Sequence, residues 1–309
     1  MHRLSFHRGL MIRNSLAALF FLCSVAASGH TQTKHDLAYW QQIAKSKYAV
    51  PAGQNAFPLA QELVSLFASP DPELRDDLAY SILYSWIRKP ELFTTPELVT
   101  LTAECQANLK RGIGERGTNS VLQRSFSALG LSLLAKRDAK TPFLSDSQFH
   151  SLVDAAVSYL NAEQDLRGYD EKLGWIHATA HTADLLAELG DNPRLTRDEQ
   201  GRTLSAIAQR LQTAPQVYTQ GEQSRLALTV LSIMRRPDFD PAAFNAWLDG
   251  LQSADRSVWT TKPLSSETLA HFQNRTYMLD AIMGRMPLEP IPASLNGSRE
   301  HILKLLSDR

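Results

Sequence analysis

The sequence predicts an all-α protein, and three observations lead to this fold class. Apolar residues recur at spacings of three and four along almost every stretch after residue 29, which is the period of one helix face. Runs that alternate β-branched and polar residues, as half-buried strands do, are scarce. Helix start and stop signals punctuate the chain at short intervals. We therefore expect antiparallel helix hairpins in an irregular α/α solenoid or a toroid-like array, and no repeated consensus sequence decides between the two.

Local signals place the helices of the first half of the chain. Ser69-Pro70-Asp71-Pro72 ends the second helix and begins the third, and Lys89-Pro90 stops the third. Thr94 caps the fourth helix, with Pro96 in its first turn, and Ser145 caps the sixth. Twelve helices are expected in all, near residues 35–47, 57–68, 71–88, 95–111, 118–136, 145–163, 173–189, 197–213, 221–235, 240–252, 265–285 and 298–308.

The second half of the chain carries similar signals. Gly174 opens the seventh helix, and Gly190 suits the left-handed position that ends one. Thr196 and Glu199 have the spacing of a capping box at the start of the eighth helix. Ser265 is a comparable start for the eleventh. The linkers between these helices are short, which favours antiparallel neighbours.

Composition restricts the class of protein. The chain has 309 residues, 43% hydrophobic and 21% charged, which is ordinary for a soluble globular protein with a sizeable core. Its 32 Lys and Arg balance 32 Asp and Glu, so there is no basic excess for binding nucleic acid. The expected partner is an unidentified small molecule, glycan or peptide.

The N-terminus has the layout of a secretory signal. Three arginines precede the apolar run 16–27, and small residues follow it, so we expect residues 1–29 to be a signal peptide. The run is too short to span a bilayer comfortably, although an uncleaved anchor stays open. An exported protein, periplasmic or secreted, would then consist of residues 30–309 as a single all-helical domain without a transmembrane span. Its one cysteine, Cys105, is expected to be a core thiol.

The richest motif lies in the predicted helix 173–189. His177, His181 and Asp184 have spacings of four and three, so on one helix they lie within about 60° of one another. These residue types bind zinc and similar divalent metals. The spacing of the histidines matches the H-E-x-x-H motif of metalloproteases, but Ala178 replaces its glutamate. A metal site, a metal-free acid–base pocket and a structural face of buried histidines all remain open.

Residues around this motif complete a candidate site. Asp170 and Glu222 are the candidate general bases, because a metal enzyme without the motif's glutamate needs one from elsewhere. Arg167, Trp175 and Arg225 are the candidate ligand-binding residues. Three functions follow: a metal-dependent hydrolase, a non-catalytic binding module for a peptide, glycan or protein, and a structural protein with buried histidines.

Two charged pairs have a local explanation. Arg75 and Asp76 precede an aromatic run and are expected to form a surface ion pair beside the core. Glu222 and Arg225, three residues apart on the ninth helix, are expected to form a local ion pair if they do not line the site.

Several segments resemble the bacterial domain of unknown function 2785 family. They are LRDDLAYSIL, RSFSALGLSLL and DLRGYDEKLGWIHATAHTADLL, and the resemblance covers roughly residues 55–290. It departs at Thr182, where Gly is common, and at Gln223, where an acidic residue is common. The resemblance implies a helical fold and no activity. The family pattern maps onto Asp165, Arg167, Gly168, Gly174, Trp175, His177, His181 and Asp184.

Overall fold

A computed structural model describes residues 35–255, 258, 262–286 and 295–307, and within these ranges the chain is mostly helical. The all-α prediction is confirmed. The predicted signal, residues 1–29, lies outside the described residues. The helices are Leu37–Lys45 (α1), Ala56–Leu66 (α2), Ser81–Ile87 (α3), Thr95–Asn108 (α4), Ser120–Lys140 (α5), Asp146–Ala162 (α6), Ala178–Gly190 (α7), Arg197–Thr213 (α8), Glu222–Met234 (α9), Pro241–Asp255 (α10), Ser266–Arg285 (α11) and Asn296–Ser307 (α12).

Two short helical segments of other types flank α3. A π-helical segment, Glu73–Tyr80, runs directly into α3, and a 3-10 turn, Pro90–Leu92, follows it. The sequence predicts one helix over 71–88 because the two helix types have similar apolar spacing. No described helix is both long and apolar enough to cross a membrane.

The predicted N-terminal caps form as expected. Thr196 accepts a hydrogen bond from the Glu199 amide, and the Glu199 carboxylate accepts one from the Thr196 amide at 2.8 Å. The same reciprocal pair begins α4 at Thr94 and α6 at Ser145. Each box satisfies amides that would otherwise lack a partner in the first helical turn, which fixes where these helices begin.

The seventh helix begins later than predicted. Tyr169–Asp170 (β1) pairs antiparallel with Gly174–Trp175 (β2), so Gly174 belongs to a hairpin and does not open the helix. Gly174 has a φ of 69°, and a Cβ there would lie 2.8 Å from the Pro72 side chain. His177 precedes α7 with a left-handed φ of 53°. Its predicted place on the helical wheel is therefore wrong, because strand pairing and packing override the helical periodicity.

Helix packing joins alternate helices of the chain. Helix α7 makes extensive contacts with α5 on one side and α9 on the other, and α9 in turn packs on α11. Helix α6 contacts α7 and α8, whereas α10 contacts α8 and α12. The Thr229 hydroxyl of α9 donates to the Ala183 carbonyl of α7 at 2.8 Å. Helix α7 is thus buried between two neighbours, which explains why it is mostly apolar.

Buried arginines stabilise the loops between helices. Arg124, Arg210 and Arg236 are each less than a tenth exposed, and their guanidinium groups donate to main-chain carbonyls. Carbonyls near helix ends lack partners within their own helix, so these bonds satisfy them inside the protein. The acceptors include the carbonyls of Arg111 and Gly112 for Arg124, Leu160 and Glu163 for Arg210, and Gly190, Asn192 and Leu195 for Arg236.

Gly190 permits the close approach of α7 and α9. It is the last helical residue of α7 and does not have the predicted left-handed conformation. A Cβ at this position would lie 3.0 Å from the Ser232 Cβ and closer still to its hydroxyl oxygen. We expect Gly190→Ala to lower the free energy of unfolding by about 1–3 kcal/mol through overpacking, measured by urea denaturation.

Gly201 provides the matched control for this substitution. It lies within α8, and a Cβ there would meet no atom within 4 Å. We expect Gly201→Ala to raise the stability by about 0.5–1 kcal/mol, since alanine is the better helix former. Equal effects of the two substitutions would contradict the packing role of Gly190.

Candidate functional site

The β1–β2 hairpin is held by a buried arginine. Arg75 is fully buried, and its guanidinium donates to the carbonyls of Trp175, at 3.1 Å, and of Leu173. It also lies 4.7 Å from the ring centroid of Phe126. The prediction that Arg75 forms a surface ion pair with Asp76 is therefore wrong. Arg75 is buried and donates to main-chain carbonyls about a hundred residues further along the chain. Arg75 therefore holds the backbone of the hairpin in place.

His177 connects the hairpin to α7 and α9. Its amide donates to the carbonyls of Arg167 and Gly168, both at 3.1 Å. Its Nε2 lies 3.1 Å from the Gln220 carbonyl oxygen and 3.6 Å from the Glu222 carboxylate. Since a carbonyl only accepts, Nε2 carries the proton and Nδ1 keeps a lone pair in the neutral ring.

His181 is held on its other side by α5. Its Nδ1 lies 2.8 Å from the Ser125 hydroxyl oxygen, and Ser125 donates its single hydrogen to the Ile176 carbonyl. Nδ1 of His181 must therefore donate to Ser125, which leaves Nε2 unprotonated. The ring packs edge-to-face against Phe126 and against His177, with centroid distances of 5.0 and 5.6 Å.

Both imidazoles are uncharged at neutral pH. Burial lowers the pKa of His177 to about 4, with a smaller contribution in the same direction from Arg225. The hydrogen bond to the Gln220 carbonyl opposes this decrease. Burial also lowers the pKa of His181 well below its ordinary value, and the neighbouring His177 adds to this effect. The site therefore presents two neutral rings.

Asp184 and Arg225 form an ion pair between α7 and α9. One terminal nitrogen of Arg225 donates to both carboxylate oxygens at 2.7 Å. Burial raises the pKa of Asp184, while the positive charge of Arg225 opposes the increase. The predicted local pair of Glu222 with Arg225 is wrong, since Glu222 faces His177 instead.

The predicted metal ligands are not assembled as a metal site. Among the residues that the structure describes, no group of three or more His, Cys, Asp and Glu side chains is arranged to hold a metal ion. Asp184 is bound to Arg225, and His177 precedes the helix that carries His181. Two imidazoles lie together, and the third predicted ligand is engaged elsewhere.

Asp170 and Arg167 have structural partners. The Asp170 carboxylate accepts the amides of Lys172 and Leu173 at 2.8 and 2.9 Å, and these bonds lower its pKa. It therefore closes the hairpin turn. The Arg167 guanidinium binds the Asp165 carboxylate, with its shortest bond at 2.6 Å. The side chains of both residues are thus engaged by partners other than the imidazoles.

Glu222 lies at the base of the site. Its side chain is buried, its carboxylate accepts the Gln220 amide at 3.0 Å, and burial raises its pKa. A Cβ at Gly168 would lie 2.7 Å from the same carboxylate, so the loop before the hairpin packs directly on it. Glu222 therefore positions this loop and the neighbouring His177 ring.

Exposed aromatic side chains cover the imidazoles. Trp175 is 40% exposed and stacks on His177, with ring centroids 4.7 Å apart and an interplanar angle of 21°. Tyr169 is 52% exposed and meets Trp175 edge-on at 5.1 Å. We call Tyr169, Trp175, His177 and His181 the aromatic–histidine surface. The hairpin thus presents two adjacent exposed rings.

Three residues of the site escape the sequence analysis: Ser125, Tyr169 and Gln220. Ser125 lies in the segment RSFSALGLSLL, which points to the family but not to a role for one serine. Tyr169 meets the Trp175 ring across the paired strands, and the Gln220 carbonyl reaches His177 from the loop before α9. Only the folded chain brings these positions to the histidines.

Two clefts of the described residues lie away from the imidazoles. A cleft of about 410 Å³ lies between α4 and α6, where Gln106, Ile113 and Tyr159 contribute to its wall. A cleft of about 220 Å³ lies between α8 and α10, beside Trp247. Neither contains a residue of the aromatic–histidine surface. The exposed rings of this surface are those of Trp175 and Tyr169, whereas the two imidazoles are buried beneath them.

Fold and site together define a mostly helical protein whose short hairpin presents aromatic rings above two neutral histidines. The chain belongs to the family described as Protein of unknown function (DUF2785), whose model matches residues 109–283. This span is more than half of the chain and contains the complete aromatic–histidine surface. No curated protein and no solved structure matches the chain.

Proposed function

We propose that this protein is a non-catalytic binding module that recognises a glycan on the aromatic–histidine surface. The observation that carries the proposal is the position of Trp175, which has one ring face on His177 and an exposed remainder. A flat apolar ring face suits the C–H face of a sugar, and its rigid support lowers the entropy lost on binding.

Neutral polar groups beside the rings support a glycan as the ligand. His177 and His181 each keep one unprotonated ring nitrogen, which can accept a hydrogen bond from a sugar hydroxyl. Tyr169 adds a phenolic hydroxyl at the exposed edge of the hairpin. Polar groups at the rim of an aromatic face would orient the sugar and give specificity.

The arrangement of the helices is compatible with such a module. Contacts along α5, α7, α9 and α11 join alternate helices, as in an irregular α/α solenoid, and we propose this arrangement over the toroid. The predicted signal in residues 1–29 supports an exported protein, periplasmic or secreted, which would meet extracellular glycans.

Glycan binding to residues 30–309 tests the proposal. We expect binding in a glycan array and by calorimetry, with at least a tenfold loss for Trp175→Ala. Tyr277→Ala, which removes another exposed aromatic ring on α11, is the matched control and should bind as the wild type does. Binding of peptides alone, or equal affinities for both variants, would overturn the glycan module.

A metal-dependent hydrolase is the second candidate. The observation that favours it is the pair of neutral imidazoles, each with one unprotonated nitrogen. We expect near-stoichiometric metal by mass spectrometry in tag-free protein, lost in His177→Ala/His181→Ala, if this candidate is right. Absence of metal after reconstitution with zinc, manganese, iron and nickel would remove it.

A further inference from the structure

We propose that the ligand carries a carboxylate, as the sugar of a uronic acid does, and that Arg225 binds this group beside the aromatic–histidine surface. This inference rests on the proposed function, because it assigns a chemical class to the ligand of the same site. The neutral rings bind the sugar, and the arginine selects the acid.

The geometry of α7 and α9 places Arg225 close to the imidazoles. Glu222 and Arg225 are three residues apart on one face of α9, and Glu222 lies 3.6 Å from His177. Asp184 and His181 are likewise three apart on one face of α7. The ion pair between Asp184 and Arg225 therefore lies about one helical turn from His181 on α7 and one turn from Glu222, the neighbour of His177, on α9.

Asp184 holds the Arg225 guanidinium in place but occupies only one of its nitrogens. Its contact with Asp184 employs one terminal nitrogen, Nη1, for both oxygens. The side chain is 46% exposed. Among the described residues, the hydrogen bonds of its guanidinium come from Nη1 alone. A guanidinium edge with two parallel donors matches the two oxygens of a carboxylate. Because Asp184 already holds the side chain, little rotamer entropy is lost when an acid binds.

The charges around Arg225 allow an anion to bind there. Asp184 balances Arg225, and the other acidic group at the imidazoles, Glu222, is buried beneath the loop. The histidines contribute neutral acceptors and no competing positive charge. Arg225 is thus an exposed cation beside the imidazoles, although Lys172 in the hairpin turn is exposed as well, and the interaction of Arg225 with a carboxylate is charge-assisted.

Calorimetry with acidic and neutral sugars tests the inference. The probes are oligosaccharides of galacturonate, glucuronate and mannuronate, their methyl esters, and sodium acetate as a free carboxylate. We expect one uronate to bind the wild type at least tenfold more tightly than its ester, with acetate at least tenfold weaker. Arg225→Gln should lower the ratio of acid affinity to ester affinity at least tenfold.

The variants separate failure of this inference from failure of the proposed function. Trp175→Ala should weaken acid and ester alike, whereas Lys136→Gln, which removes an exposed cation of α5, is the control and should change neither. Binding of neutral glycans or esters without a preference for acids overturns the role of Arg225 and leaves the glycan module intact. Binding of acetate as tight as that of the uronate overturns the sugar acid and leaves a simple anion site. Absence of all glycan binding overturns the module itself.

Discussion

Arg124→Met is expected to lower the free energy of unfolding by about 3–5 kcal/mol, the largest effect of any substitution considered for this protein. The Arg124 guanidinium is fully buried and binds both oxygens of the buried Glu163 carboxylate, at 2.7 and 3.0 Å. The Glu163 carboxylate also accepts the amides of Gln164 and Asp165, so it cannot leave the interior without breaking the loop. The substitution therefore leaves a negative charge buried without its partner.

Urea denaturation with a double-mutant cycle measures this effect. We expect Arg124→Met/Glu163→Leu to recover part of the loss, because the double substitution removes the uncompensated charge. Lys136→Met is the control, since it breaks an ion pair with Glu188 in which Lys136 is half exposed, and should cost at most about 1 kcal/mol. Similar losses for Arg124→Met and Lys136→Met would show that burial does not govern these pairs.

Acidification from pH 6.5 to pH 4 is expected to destabilise the protein through its two neutral histidines. The pKa of His177 is about 4 in the folded protein and 6.5 in the unfolded chain. Between these values the unfolded chain binds more protons, so the free energy of unfolding falls as the pH falls. The difference corresponds to about 3 kcal/mol for His177. His181 acts in the same direction, because burial lowers its pKa as well.

Two carboxyl groups of the site act in the opposite direction. Burial raises the pKa of Asp184 and of Glu222, so their protonation favours the folded state as the pH falls through their folded pKa values. Denaturation at pH 8, 6.5, 5 and 4 should therefore compare the wild type with His177→Gln/His181→Gln. The variant keeps both carboxyl groups and should lose most of the decrease below pH 6.5. An unchanged pH dependence in the variant would rule out the histidines as its cause.

The sequence predicts the helices well because their signals are local. Apolar periodicity gives the number and order of the helices, and reciprocal bonds at Thr94, Ser145 and Thr196 form where the residue types announce them. The core position of Cys105 follows from the same periodicity, and its thiol is buried with a raised pKa. These features depend on residues within one or two helical turns, so an isolated stretch of sequence contains their cause.

The contacts among the candidate site residues follow only in part from the spacing of the motif. The motif does bring His177 and His181 side by side, with Glu222 next to His177. The ligand set fails at Asp184, whose partner Arg225 lies 41 residues further along the chain. The spacing of three gives the direction of the Asp184 side chain, but it cannot say that a cation from another helix meets it there.

By itself the sequence determined the all-α fold class, the capped starts of α4, α6 and α8 and the family to which the chain belongs, since each rests on local patterns of residues. The tertiary structure decided the conformation of His177 and the exposure of Trp175. Arg75 fixes the hairpin from a distance of 100 residues in the chain, and Ser125 orients His181 from a distance of 56. Such contacts form when the helices pack, because buried carbonyls and imidazole nitrogens need hydrogen-bond partners inside the protein. They therefore leave no periodic signal in the sequence.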